Sequence, residues 1–287
     1  MAQMGLKGYK PEKEFLVCID SDGCVFDTME IKHKECFCPA TVEKWDLQPI
    51  SKYVREAWDY VNLYSTDRGI NRFLALIKVI ELLEQRPEVK EIGAVLPDMT
   101  ALKQWAEGNS ELNNQNLSQH QSEKANQIAL AWSYDCNDRI TVMVRGMKPF
   151  PKSEDTIRTL SEKADIVVVS ATAEEALLRE WEESNMAQYV KAICGQESGS
   201  KKSCIAALKA HYLPEKILMI GDAIGDYTAA RDNGVYYYPI IPNEEKRSWE
   251  RLKEIVGGFY HSEYDNRQKE VVEEFTASLL TRPQWIK

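Results

Sequence analysis

The stretch FLVCIDSDGCVFD, residues 15–27, decides the fold. Residues 15–19 are continuously apolar, the pattern of a strand buried on both faces, and they run directly into the D-x-D-G of Asp20, Asp22 and Gly23. The same grammar recurs downstream. Ile166 to Ser170, Val190 to Gly195 and Ile217 to Asp222 are short apolar runs ending on a polar residue or glycine. Ala173 to Glu183, Ser203 to His211 and Tyr227 to Asn233 read as the helices that follow them. This alternation predicts an α/β fold with a Rossmann-like parallel sheet. Ligands of such sheets bind beyond the carboxyl ends of the strands, which places Asp20, Ser170, the Gly195 loop and Asp222 along one edge.

Between Asp27 and Pro149 the strand pattern nearly vanishes and helical periodicity takes over, most clearly at Val54 to Leu63, Ile70 to Glu84, Met99 to Ala106 and Leu117 to Trp132. An insertion of this length between two strands of one sheet reads as a separate α-helical domain, left through the turn-forming GMKPFP at 146–151. The expected organisation is a core of residues 1–30 and 147–287 with an inserted helical domain at 31–146. The last part of the core, with helices at Glu244 to Val256 and Gln268 to Leu280, is expected to form a tail on the sheet.

Composition restricts the function. The chain of 287 residues, 44% hydrophobic and 28% charged, is that of an ordinary globular protein. Its net charge of −9 argues against a nucleic-acid or anionic-membrane partner, because neutralising phosphates takes clustered Lys and Arg. Small-molecule chemistry is the better expectation. The seven cysteines are odd in number and scattered without a CxxC, which fits free thiols in a reducing, cytoplasmic compartment. No stretch approaches the ~18–20 apolar residues of a membrane span, and the N-terminal residues lack the apolar core of a signal peptide.

Two strings carry chemistry. At the end of the first strand, Asp20 and Asp22 stand two residues apart, so one carboxylate can face the site while the loop turns the other aside. Their plain structural alternative is an Asx-type turn. The second string is ILMIGDAIGD, residues 217–226, a strand running into Asp222 and Asp226. Helix capping accounts for Asp226, but less well for Asp222, which directly follows a buried run. Acidic strand ends that converge in one sheet need a cation to offset their repulsion. All-oxygen donors, with no suitably spaced His or Cys, suit Mg²⁺ rather than zinc.

D-x-D-G, then Ser170 after Val167-Val168-Val169, then a lysine, then G-D-x-x-x-D resembles the ordered motif set of the haloacid dehalogenase superfamily. The long helical insertion, and the return through Lys148 to Pro151, resemble the group containing phosphoglycolate phosphatase, β-phosphoglucomutase and phosphonoacetaldehyde hydrolase, whose insertion is a cap domain. The resemblance implies that Asp20 attacks phosphorus and becomes an aspartyl phosphate, and that Asp22 serves as general acid and then base. It implies Mg²⁺ held by Asp20, the backbone carbonyl of Asp22 and Asp222, with Asp226 orienting the lysine or a metal-bound water. Ser170 would donate to a phosphoryl oxygen, and the lysine would neutralise its charge. Lys201 and Lys202 are both candidates for that lysine; Lys201 is preferred because Cys204, Ile205 and Leu208 then anchor the helix it begins. Cys24 stands where the family commonly has threonine. The dehalogenases lack the second aspartate, so Asp22 argues for phosphoryl transfer.

The resemblance thus implies a Mg²⁺-dependent phosphatase acting on a small phosphorylated metabolite. A phosphomutase, a phosphonate hydrolase and a non-catalytic phospho-ligand-binding module are the alternatives on the same scaffold. In the insertion, Arg68 and Arg72 are candidates for an anionic substrate, with intradomain ion pairing as the alternative. Trp45, Trp58 and Trp105 read as core. His33, Cys36 and Cys38 form H-x-x-C-x-C without a fourth zinc ligand at the usual spacing, and Lys32 is the weak candidate for Schiff-base chemistry.

Overall fold

The apolar run at residues 15–19 becomes the central strand of the sheet because it can be buried on both faces. In the computed structural model, which describes residues 2–109, 111–261 and 263–286, the strands are β1 (Gln3–Met4), β2 (Phe15–Ile19), β3 (Ala164–Val169), β4 (Ala192–Cys194), β5 (Ile217–Gly221) and β6 (Tyr236–Pro239). They form one six-stranded sheet in the order β1-β4-β3-β2-β5-β6, and every pairing is parallel. Cys18 of β2 aligns with Val167 on one side and Met219 on the other.

Side chains alternate strictly across this sheet. Val17, Ile19, Ile166, Val168, Leu218 and Ile220 enter one buried cluster, with helices 153–161, 174–183 and 245–260 supplying Ile157, Trp181 and Trp249 among others. Leu16, Cys18, Val167, Val169, Ile217 and Met219 enter the other, against helices 201–208, 224–233 and 265–278. Burial on both faces is what reads as unbroken hydrophobicity in sequence. Each fully buried aliphatic side chain contributes about 1.5–3 kcal/mol, so the strand ends sit on a stiff support.

From β2 the chain steps outward through β3 and β4, then crosses back to β5 and β6 on the other flank. Connections therefore diverge between β2 and β5, and the crevice of a doubly wound sheet opens there. Asp20 and Asp222 are the residues immediately past those two strands.

Two strands were not expected from the sequence. Gln3–Met4 is too short to show a period, and its pairing with β4 is a tertiary event. β6 follows Gly234, which takes φ +67°, and closes on Pro239; proline is tolerated there because β6 is an edge strand. The expected helix at Leu117 to Trp132 is a short helix at Asn114–Leu117 and a long one at Lys124–Met143. In the break, the side chains of Ser118 and Gln121 donate to the carbonyls of Gln115 and Leu117, the competition with backbone pairing that stops helices.

The chain divides into two compact units: Met1–Thr28 with Gly146–Leu279, and Met29–Arg145 with Leu280–Lys287. The sheet lies in the first unit. The second unit is helical around its own core, in which Trp58, Phe73, Trp105 and Trp132 pack edge to face. Helix 265–278 packs on β6 as part of the first unit, but residues 280–287 group with the helical unit, which corrects the expectation that the whole tail lies on the sheet. Among the described residues, no helix is long and apolar enough to cross a membrane.

Gly221, the last residue of β5, is required by a close approach: a Cβ there would lie 2.3 Å from Asp226 Oδ2. At Gly225 a Cβ meets nothing within 4 Å. Gly221→Ala is therefore expected to lower the urea-unfolding free energy by about 1–3 kcal/mol through overpacking. Gly225→Ala should be neutral or stabilising by about 0.4–1 kcal/mol. Equal losses in the two variants would show that the approach of Asp226 does not fix Gly221.

Candidate active site

The backbone of Asp20 continues the ladder beyond β2, its N–H donating to the Ile220 carbonyl at 2.9 Å. That fixes the residue while its side chain turns over the strand end. Oδ1 accepts from the Ser21 N–H at 2.8 Å, and Oδ2 lies 2.6 Å from Lys201 Nζ. Asp226, in the first turn of helix 224–233, accepts the Ala223 N–H on Oδ2 at 3.1 Å and faces Lys201 Nζ through Oδ1 at 2.5 Å. The capping role and the site role of Asp226 thus coexist, one on each oxygen. Carboxylate oxygens of Asp20, Asp222 and Asp226 all lie within 4.8 Å of one another, and all three residues are buried.

Lys201 opens helix 201–208, where a positive charge is disfavoured by the helix dipole. Its two carboxylate partners overcome that preference. Lys202 points elsewhere: its side chain is 60% exposed and pairs with Asp232 at 2.8 Å. Ser170 follows β3, held by its N–H donating to Cys194 O at 2.9 Å. Its Oγ accepts the Thr172 N–H at 3.2 Å, and a hydroxyl that accepts still carries a proton to donate.

Asp22 is turned aside from Asp20. Its Oδ2 accepts from Thr172 Oγ1 at 2.6 Å and its Oδ1 from Thr28 Oγ1. The loop between is shaped by Gly23 at φ +71° and clamped from below by indole donors: Trp181 Nε1 to Ser21 Oγ at 3.0 Å and Trp249 Nε1 to Cys24 O at 2.9 Å. Cys24 is fully buried, and burial pushes its thiol well up, so the residue packs rather than reacts.

Thr28, Thr172, Trp181 and Trp249 were not singled out from the sequence. Thr172 had a usable signal, a second hydroxyl two residues after Ser170. The tryptophans had none, since each reaches the loop from a helix distant in the chain.

Electrostatically, burial raises Asp20 to about 6; Lys201 opposes the shift, while Asp226 and Asp22 add to it. Asp226 is raised by burial, with Asp222 adding to the shift. Burial opposes the charge on Lys201, yet Asp20 and Asp226 together raise its pKa. The three carboxylates form an all-oxygen donor set, which fits a hard divalent cation.

In the helical unit, Arg68 is buried and donates through Nη1 to Leu63 O at 2.8 Å. Arg72 donates through Nη1 to Ser133 Oγ at 3.0 Å and Asn137 Oδ1 at 2.7 Å, with its guanidinium over the Phe37 ring. Both arginines are thus engaged within their own unit. His33 Nδ1 accepts from Trp58 Nε1 at 3.1 Å, and Cys36 and Cys38 are buried free thiols. Among the described residues, the carboxylate cluster is the one grouping with metal-ligand spacing; His33, Cys36 and Cys38 do not form another. Lys32 is buried in the same helical segment as His33.

Comparison with known proteins places this arrangement. No curated protein matches the chain at a significant level. Similar solved structures include a haloacid dehalogenase-like family hydrolase of Streptococcus pneumoniae, 14% identical over 82% of this chain and 90% of that one, with a TM-score of 0.46. A candidate phosphoglycolate phosphatase of Lactobacillus delbrueckii subsp. bulgaricus is 16% identical over 78% and 85%, with a TM-score of 0.46. A candidate β-phosphoglucomutase of Thermotoga maritima is 14% identical over 78% and 84%, with a TM-score of 0.39. The sequence profile of the haloacid dehalogenase-like hydrolases matches residues 16–234, a span that takes in β2 from Leu16, all of β5 and every residue of the carboxylate cluster. The chain belongs to the haloacid dehalogenase-like hydrolase family.

Proposed function

We propose that this protein is a magnesium-dependent phosphatase that hydrolyses a small phosphorylated metabolite through an aspartyl phosphate on Asp20. The observation that carries the reading is the buried cluster at the switch point, where Lys201 lies between Asp20 and Asp226 with Asp222 within reach. Asp20, Asp222 and the backbone carbonyl of Asp22 would hold Mg²⁺, which offsets the negative charge that cluster and phosphoryl group share.

The residues divide the work as follows. Lys201 and the Ser170 hydroxyl bind phosphoryl oxygens at the strand ends. An Asp20 carboxylate oxygen attacks phosphorus, and the bond from phosphorus to the substrate oxygen breaks. Asp22 gives that leaving oxygen a proton. In the second half Asp22 takes a proton from water, whose oxygen attacks phosphorus and releases phosphate from Asp20. Asp226 orients Lys201 throughout. The helical unit is read as the cap domain that the family resemblance implies, and the seven buried free thiols fit a reducing, cytoplasmic setting.

Phosphate release from a panel of phosphorylated metabolites, with Mg²⁺ or EDTA, tests the proposal. Wild type should release phosphate only with Mg²⁺, and Asp20→Asn should lose about 10³-fold or more while its circular dichroism and melting stay near wild type. An active Asp20→Asn variant rules out the covalent route. Lys201→Ala should cost about 10²–10³-fold in kcat, whereas Lys202→Ala should retain the wild-type rate.

The raised Asp20 pKa gives a second test. Mg²⁺ needs the ionised carboxylate, so the rise in melting temperature that Mg²⁺ produces at pH 7.5 should shrink as pH falls through about 6. In EDTA the sign reverses. Asp20 binds its proton more tightly folded than unfolded, so its stabilising contribution is complete below the ordinary carboxylate range, about 4, and is lost as pH rises through about 6. A Mg²⁺ increment independent of pH between 5 and 7.5 would remove Asp20 from the metal site.

A further inference from the structure

The chain passes between its two units at three places: Thr28 to Met29, Arg145 to Gly146, and Leu279 to Leu280. The first two enter the sheet unit side by side, for Phe26 pairs antiparallel with Pro149 and the Phe150 N–H donates to Val25 O at 2.8 Å. Two adjacent strands form one hinge, about which a domain can rotate. The third crossing leaves the sheet unit elsewhere, from the end of helix 265–278. That helix is fixed against β6 by buried Val271 and Phe275, and by Gln268 Oε1 accepting the Tyr237 N–H at 2.7 Å.

This third crossing has no slack. Leu279 is buried in the core of the sheet unit, and the next residue is already locked into the helical unit. Leu280 bridges Ser65: its N–H donates to Tyr64 O at 2.8 Å, and its carbonyl accepts the Thr66 N–H at 3.1 Å. Trp285 completes the attachment, edge-on to Tyr60 at 6.0 Å between ring centres. The buried Arg86 guanidinium stacks between the Trp285 ring at 4.5 Å and the Tyr53 ring at 4.4 Å, and it pairs with Glu56 and Glu88. Cation–π contacts strengthen when desolvated, and here they add to the backbone bridge that holds this short segment.

We propose that residues 280–286 are a taut third tether that confines movement of the helical unit about the hinge made by the other two crossings. The proposal is independent of the reaction assigned above, because it concerns movement and its test reads a distance.

The experiment places spin labels on cysteines introduced at exposed Val142 of the helical unit and exposed Arg158 of the sheet unit, and measures the distance distribution. Native cysteines are buried and do not compete for label. Inserting about eight Gly and Ser residues between Leu279 and Leu280 adds ~16 Å of root-mean-square slack and keeps every docking residue. The distribution should broaden by a comparable amount, with circular dichroism and melting unchanged. Trp285→Ala, which loosens the far end of the segment, should broaden it in the same direction. Should either variant fail to fold, the other decides. A folded variant of either kind whose distribution superimposes on that of wild type overturns the proposal.

Discussion

One ammonium group, 2.6 Å from Asp20 and 2.5 Å from Asp226, holds together a buried cluster that would otherwise repel itself. Three carboxylates within 4.8 Å are costly to bury, and Lys201 offsets that cost at two of them. The surrounding structure exists in this form because it can sustain that cost. The sheet brings the ends of β2 and β5 together in register, Leu16 against Ile217, so the two aspartates that follow are fixed by backbone pairing and not by their own interactions. Gly221 clears the space into which Asp226 swings. Helix 201–208 begins where its lysine can reach both acids, against the preference of its own dipole.

The favourable free energy comes from elsewhere in the unit. Both faces of the sheet are covered by helices, and alternate residues of β2, β3 and β5 enter opposite apolar clusters. Tyr237 shows how closely support and site are joined: its ring belongs to one of those clusters, while its hydroxyl donates to Gly221 O at 3.0 Å directly beneath the acids. Nearly complete burial, reinforced by Asp226 and Asp222, keeps that phenol well above its usual range, so it remains a neutral donor. At the carboxyl edge local preference gives way to the site, as in the lysine that opens helix 201–208 against its dipole.

What could be read in the sequence follows the range of the forces involved. β2, β3 and β5 were legible because burial on both faces writes a continuous apolar run, and a strand-end acid stands out against it. The placement of Lys201 over Lys202 was legible from helical spacing, since the buried Cys204, Ile205 and Leu208 fix which side of the helix faces inward. β1 and β6 were not read, the first because two residues carry no period, the second because Tyr236–Pro239 mixes a strand-forming aromatic run with a proline. The threonines that grip Asp22 come from both sides of a 144-residue separation, Thr28 and Thr172, and nothing local in either position signals the other. Leu280 to Trp285 was misplaced for the same reason: its partners Tyr64, Tyr60 and Arg86 are some two hundred residues away in the chain.

The acidity of the chain and the acidity of the site point to a single constraint on its ligand. A protein of net charge −9 with three carboxylates clustered at its strand ends does not attract an anion by its field. A phosphorylated compound would bring further negative charge to these acids, and Lys201 is already shared between two of them. In the phosphatase reading a divalent cation would supply the positive charge that such a ligand needs. The same reasoning explains why the acids are buried. In a low-dielectric setting a hard cation gains more from each carboxylate than it would at an exposed acidic surface, so the cluster that is costly when empty becomes strongly attractive to the cation it fits.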